Sequence, residues 1–285
     1  MTGNIRKAAV AGTWYPGTAA SLAAAVDRHL AAADRTGASV RGDLVALVAP
    51  HAGLMYSGPV AAHAYRLLRD RAFDVAVLVG PSHFVGFDGV AVYPSGAFET
   101  PFGVMSIDAG CARTIAAATP IVHEHRAAHV REHSLEMQLP FLARLAPGVP
   151  IVPLLMGYQT AETAAALGGA LALALRGRTA LLVASTDLSH YHDAATASAL
   201  DQVVIDCMLR FDADGLQAAL DARPEHACGG GPAVAVMRAA RAAGARDAVI
   251  LNNADSGDVS GDKSSVVGYL AAALGTFNRG DRGER

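Results

Sequence analysis

Five short runs of nearly unbroken apolar residues punctuate the chain: residues 44–49 (LVALVA), 75–79 (VAVLV), 149–156 (VPIVPLLM), 180–184 (ALLVA) and 248–251 (AVIL). A strand with one wet face alternates apolar and polar positions, whereas a strand covered on both faces has no need to. The runs therefore predict buried strands of a mainly parallel sheet. Between them lie Ala- and Leu-rich stretches of helical length, residues 59–69, 108–118, 134–145, 161–175, 194–211 and 232–243. Strands alternating with helices predict βαβ units with right-handed crossovers, and hence an α/β fold.

Turn-forming residues divide these segments. Ser134 is the candidate N-cap of its helix, with Glu136 one place short of a capping box, and residues 147–150 (PGVP) stop that helix before the next strand. Residues 99–103 (ETPFG) suggest a loop or hairpin beside a lesser apolar run at 89–93. No Pro- or Ser-rich linker interrupts the pattern, so one domain is expected over residues 1–277, followed by a polar tail at 278–285.

Composition narrows the functional classes. With 285 residues, 52% of them hydrophobic and 17% charged, the chain can bury a large core. A net charge of -3, with no basic run and a single Trp, argues against a nucleic-acid partner. No apolar stretch approaches the roughly 18–20 residues of a membrane span, and the first residues lack the apolar core of a signal peptide. Cys111, Cys207 and Cys228 form no C-x-x-C pair, which fits a reducing compartment. The expectation is a cytoplasmic protein without membrane association.

Three of the apolar runs end alike. Residues 44–49 lead into Pro50-His51-Ala52-Gly53, residues 75–79 into Pro81-Ser82-His83, and residues 180–184 into Thr186-Asp187-Leu188-Ser189-His190. Ligands of open α/β sheets bind beyond the carboxyl ends of the strands, so these imidazoles are expected to share one functional space. Further candidates lie in Glu132-His133-Ser134-Leu135-Glu136 and at Cys228, in a Cys-Gly-Gly-Gly-Pro loop that opens a helix. Spacing alone leaves Cys228 either a small buried residue or a reactive thiolate. Cys111 and Cys207 sit inside helical runs and read as packing residues, while His29, His63, His123, His125 and His129 read as surface or packing residues. No G-x-S-x-G elbow, P-loop or G-x-G-x-x-G fingerprint is present.

Taken in order, AGTWYP (11–16), PHAG (50–53), PSH (81–83), EHSLEMQLP (132–140), STDLSH (185–190) and CGGGP (228–232) resemble the Memo family over almost the whole chain. The resemblance implies a three-layer α/β/α fold similar to class III extradiol dioxygenases of the LigB type. It implies a divalent metal, iron or copper with zinc as a chemically reasonable third, at His51, His83 and Cys228. It also implies acid–base or substrate contacts from His133 and His190, with Glu136 and Asp187 able to hold imidazoles by hydrogen bonds. A thiolate where ring-cleaving enzymes carry a carboxylate softens the site and argues against extradiol cleavage. Phe84 stands where some relatives carry a second His, and Leu54 and Met55 make the neighbouring wall more apolar. The family resemblance further implies AMMECR1-like and radical-SAM partner proteins, and a small-molecule or peptide ligand in the cleft. Three functions follow as expectations: a metal oxidoreductase of dioxygenase-like build, a non-catalytic partner-binding module, and a metal-assisted hydrolase.

Overall fold

Each of the five apolar runs is a strand in the computed structural model, which describes residues 4–36 and 40–278. In chain order the strands are β1 (Ile5–Arg6), β2 (Gly42–Ala49), β3 (Val75–Pro81), β4 (Val90–Val92), β5 (Ala97–Thr100), β6 (Gly103–Ser106), β7 (Val122–Glu124), β8 (Ile151–Met156), β9 (Ala180–Ser185), β10 (His190–His192), β11 (Asp247–Asp255) and β12 (Val266–Phe277). The helices are α1 (Ala19–Thr36), α2 (Leu54–Tyr65), α3 (Ala109–Ala118), α4 (Arg126–His129), α5 (Leu139–Leu145), α6 (Ala161–Ala174), α7 (Ala194–Leu209), α8 (Ala213–Ala222), α9 (Gly230–Ala242) and α10 (Gly257–Ser260). Of the expected polar tail only Asn278 falls within the described residues.

The main sheet has the order β10-β12-β2-β9-β3-β8-β4-β7, with β11 paired to β12. Its centre, β2-β9-β3-β8, is parallel. Its flanks are not: β12 runs antiparallel to β2, β11 to β12, and β4 to β8. The 248–251 run is thus a strand of the antiparallel flank. The 99–103 turn closes a β5–β6 hairpin, which pairs with β1 in a separate three-stranded sheet.

Both faces of the centre are covered, and the pleat explains how. In β2, Leu47 and Ala49 face one core cluster while Ala46 and Val48 face the other. The same division separates Leu181 and Val183 from Leu182 and Ala184 in β9. One cluster is closed by Leu22, Val26 and Leu30 of α1, spaced at i, i+4 and i+8, together with α2 and α5. The other is closed by α3, α6, α7, α8 and α9. Helix, sheet and helix make the three-layer α/β/α arrangement.

Several elements have no counterpart among the sequence segments, the longest being α1, α8 and β12. Helix α1 is so rich in Ala that its apolar stripe is only three large residues, α8 is short, and β12 carries Gly268 and Gly275 inside an Ala-rich stretch that shows no strand-like alternation. The helix expected from Ser134 is also shorter than expected. A 3₁₀ turn at Glu136–Gln138 precedes α5, and Ser134 caps neither, because its Oγ donates to the carbonyl of Pro81 at the end of β3, 2.8 Å away. No helix among the described residues is long and apolar enough to cross a membrane.

Candidate metal centre

Because β2, β3 and β9 are parallel, their carboxyl ends lie at one edge of the sheet. His51 follows β2, His83 follows β3, and Ser185 ends β9, with Asp187 just beyond it. The amino end of α9 reaches the same edge, where Gly229 approaches the backbone so closely that a Cβ would lie 2.4 Å from the carbonyl oxygen of Ser185. A side chain there would push Cys228 away from the strand ends. As built, one ligand atom from each of His51, His83 and Cys228 lies within 4.8 Å of the others.

The two imidazoles are oriented from behind. Nδ1 of His83 is 2.9 Å from Oε1 of Glu132. That carboxylate also accepts the backbone N–H groups of His83, His133 and Ser134. Burial raises the Glu132 pKa, but the His83 hydrogen bond and charge and the N–H donors outweigh it and hold the pKa at about 2. An ionised carboxylate only accepts, so Nδ1 of His83 donates, and in the neutral imidazole Nε2 keeps its lone pair. Nδ1 of His51 is 2.9 Å from Oγ of Ser185, and its Nε2 is 3.2 Å from Sγ of Cys228.

His83, Glu132 and His133 form a second cluster of possible ligands. Glu132 already accepts four N–H groups there, so it acts as an orienting group, and the free donors belong to His51, His83 and Cys228. Two imidazoles and a thiol suit copper, iron or zinc and are poor ligands for calcium or magnesium. Burial, with the charges of His83, His133 and His190, pushes His51 well below the usual imidazole range. Burial, reinforced by Asp187, pushes the Cys228 thiol up. Both donors are therefore neutral, and a bound cation would require the thiol to give up its proton.

Asp187 receives the backbone N–H groups of His51, at 2.7 Å, and Ala52. Its other oxygen is 4.0 Å from Nε2 of His51. Burial pushes its pKa up to about 7 against the pull of those N–H groups. Asp187 thus fixes the backbone of the His51 loop, while Ser185 holds the ring. The ring of His133 stacks on His83 at a centroid distance of 4.7 Å, and Trp14 covers it at 4.3 Å. Burial, partly offset by Glu132, lowers the His133 pKa to about 4. His190 donates Nδ1–H to the Leu188 carbonyl, 2.8 Å away, and is also lowered by burial.

Glu136 does not join the imidazoles. Its oxygens accept from Arg6, from the backbone of Ala9 and Val10, and from the Tyr15 hydroxyl at 2.6 Å. It ties down the segment that carries Trp14. The orienting carboxylate is Glu132, four residues earlier, and its place at the start of the EHS motif is the only local signal for it. Ser185, inside the STDLSH motif, is another residue that sequence reasoning left without a role. Among the remaining histidines His129 is buried against Tyr93 and Phe98, and His123 is exposed.

Two clefts flank the cluster. One, of about 820 Å³, is lined by Trp14, Leu54, Met55, Tyr56, Tyr191 and Tyr269, among others. The second, of about 700 Å³, reaches Cys228 past Tyr158 and Gln159.

Comparison with known proteins places the chain in a family. Residues 6–273 match the Memo-like protein family. A MEMO1 family protein of Methanothermobacter thermautotrophicus is 39% identical over 272 residues, covering 93% of this chain and 98% of its own. A MEMO1 family protein of Methanosarcina mazei is 38% identical over 271 residues, with 94% and 98% covered. Among solved structures, an uncharacterized protein of Escherichia coli K12 is similar in fold at a TM-score of 0.56 and 18% identity, covering 82% of this chain and 100% of its own. With its motifs brought together at one sheet edge and matched along nearly its whole length, the chain belongs to the Memo-like protein family.

Proposed function

We propose that the chain is a metal-dependent oxidoreductase with a mononuclear iron or copper centre held by His51, His83 and Cys228. The observation that carries this reading is the convergence of three soft or borderline donors within 4.8 Å, with both imidazoles held through Nδ1 from behind. A bound iron or copper ion would supply redox chemistry and a Lewis-acid position for substrate. The remaining work falls to the chain. His133, neutral at pH 7, is suited to accept a proton from a substrate lying against the His83 face. His190 offers Nε2 for the same purpose, since Nδ1 is engaged. Trp14 covers His133 and limits water on that side. The apolar wall of Leu54 and Met55 suits an organic substrate over a free inorganic ion.

A second reading rests on a different observation. Trp14, Met55, Phe84 and Tyr191 are exposed around the mouth of the site. Exposed apolar residues gathered in this way suit a docking surface for a peptide or a protein such as an AMMECR1-like or radical-SAM partner. A zinc-loaded site would instead favour hydrolysis, through polarised water.

Elemental analysis separates these readings. Protein purified without an affinity metal, under reducing and low-oxygen conditions, is expected to carry near-stoichiometric iron or copper that is lost in His51→Ala and Cys228→Ser. Zinc alone would redirect the reading to hydrolysis. Absence of metal after reconstitution would leave the docking module.

A further inference from the structure

We infer that Ser185, its hydroxyl proton committed to the Ser134 carbonyl and one lone pair to Gln138, is a positioning residue that dictates the ring nitrogen of His51 that carries the proton. The inference rests on the metal-centre reading, since its consequence is a bare Nε2 aimed at the site. Tyr65, Gln138, Ser185 and His51 are all buried, with at most 1% exposure. The Tyr65 hydroxyl donates to Oε1 of Gln138 at 2.8 Å. That contact turns the Gln138 amide nitrogen the other way, toward the Pro50 carbonyl at 3.1 Å and Oγ of Ser185 at 2.7 Å. A flipped amide would set its oxygen against the Pro50 carbonyl, which can only accept.

The hydroxyl of Ser185 has one proton to give. The Ser134 carbonyl, 2.6 Å away, takes it. Gln138 occupies one lone pair of Oγ, so the position facing Nδ1 of His51, 2.9 Å away, can only accept. The His51 proton therefore sits on Nδ1, and Nε2 presents its lone pair to Cys228 at 3.2 Å. The chain of bonds begins at Tyr65 in α2, far from any solvent that could scramble it. Because the segment 132–138 carries Glu132, Ser134 and Gln138, one short segment sets the proton position on both imidazoles.

The test uses chelator-treated, ¹⁵N-histidine-labelled full-length protein at pH 7, with long-range ¹H–¹⁵N correlation. The wild type is expected to show His51 as the Nδ1–H form. Ser185→Ala is expected to lose that preference and to bind Zn²⁺ about ten-fold or more weakly in a chelator competition; Gln138→Leu is expected to do the same to a smaller degree. His51 protonated at Nε2 in the wild type would overturn the inference, and that measurement needs no variant to fold. So would a Ser185→Ala protein with unchanged tautomer and affinity. A wild type that shows Nδ1–H but binds no Zn²⁺, iron or copper would defeat the metal-centre reading and leave the relay standing.

Discussion

Oε1 of Glu132 lies 2.9 Å from Nδ1 of His83, whereas Glu136, one helical turn later by count, touches no imidazole. In a helix, positions i and i+4 would share a face. Residues 132 and 133 are not helical, and the 3₁₀ turn begins only at Glu136, so the two carboxylates point to different tasks. One orients the His83 ring and the other fastens the amino-terminal segment.

Glu132→Gln should weaken metal binding about 10–100-fold, because the amide gives His83 a weaker acceptor in a less certain orientation. Isothermal titration with Zn²⁺ measures it. The same residue makes stability depend on acid. Its folded pKa, about 2, lies below the ordinary 4.5, so its contribution is present above pH 4.5 and is lost as pH falls toward 2. Urea unfolding across that range should show a shallower acid limb in the variant.

Glu136→Ala should lower stability by about 3–5 kcal/mol, the usual cost of leaving one partner of a buried ion pair uncompensated. It should also loosen residues 9–15. Trp14 is the single Trp of the chain, so its fluorescence reports that segment directly. A variant with wild-type emission and stability would refute the anchoring role.

His129 should contribute a separate acid sensitivity. Burial drives its pKa to about 3, its Nε2 donates to the Ala91 carbonyl at 3.1 Å, and its Nδ1 has no partner among the described residues. Between pH 6.5 and 3 the unfolded chain takes up a proton that the folded chain refuses. Stability is therefore complete above pH 6.5 and falls below it, by up to about 1.4 kcal/mol per pH unit. His129→Gln, which keeps a donor for Ala91 but cannot titrate, should flatten the curve of unfolding free energy between pH 6.5 and 5.

Tyr191→Gly should raise the melting temperature. Tyr191 has φ of 62° and is 77% exposed, in a strand β10 whose register against β12 shifts between His190 and His192. A non-glycine residue in the left-handed region costs about 1–2 kcal/mol, part of which Gly recovers against its greater freedom in the unfolded chain. A gain of about 0.5–1 kcal/mol in calorimetry is expected. A loss would mean that the exposed ring makes contacts worth more than the strain.

What the sequence by itself determined about this protein is local. Four apolar runs of five to eight residues became strands of the parallel centre, covered on both faces, whereas the four-residue run at 248–251 became part of the half-buried flank strand β11; the strand-end positions of His51 and His83 followed from the common direction of the parallel strands. Tertiary structure alone decided which groups hold those rings. Glu132 meets His83 across 49 residues of sequence, Ser185 meets His51 across 134, and Cys228 meets His51 across 177. It likewise decided that β12 inserts antiparallel beside β2 and that the segment bearing Trp14 folds back over His133. Periodicity and capping act within a few residues, so they are written in local composition. A choice between two nearby carboxylates is made by backbone path and by competing donors such as Arg6, which become neighbours only when the chain has folded.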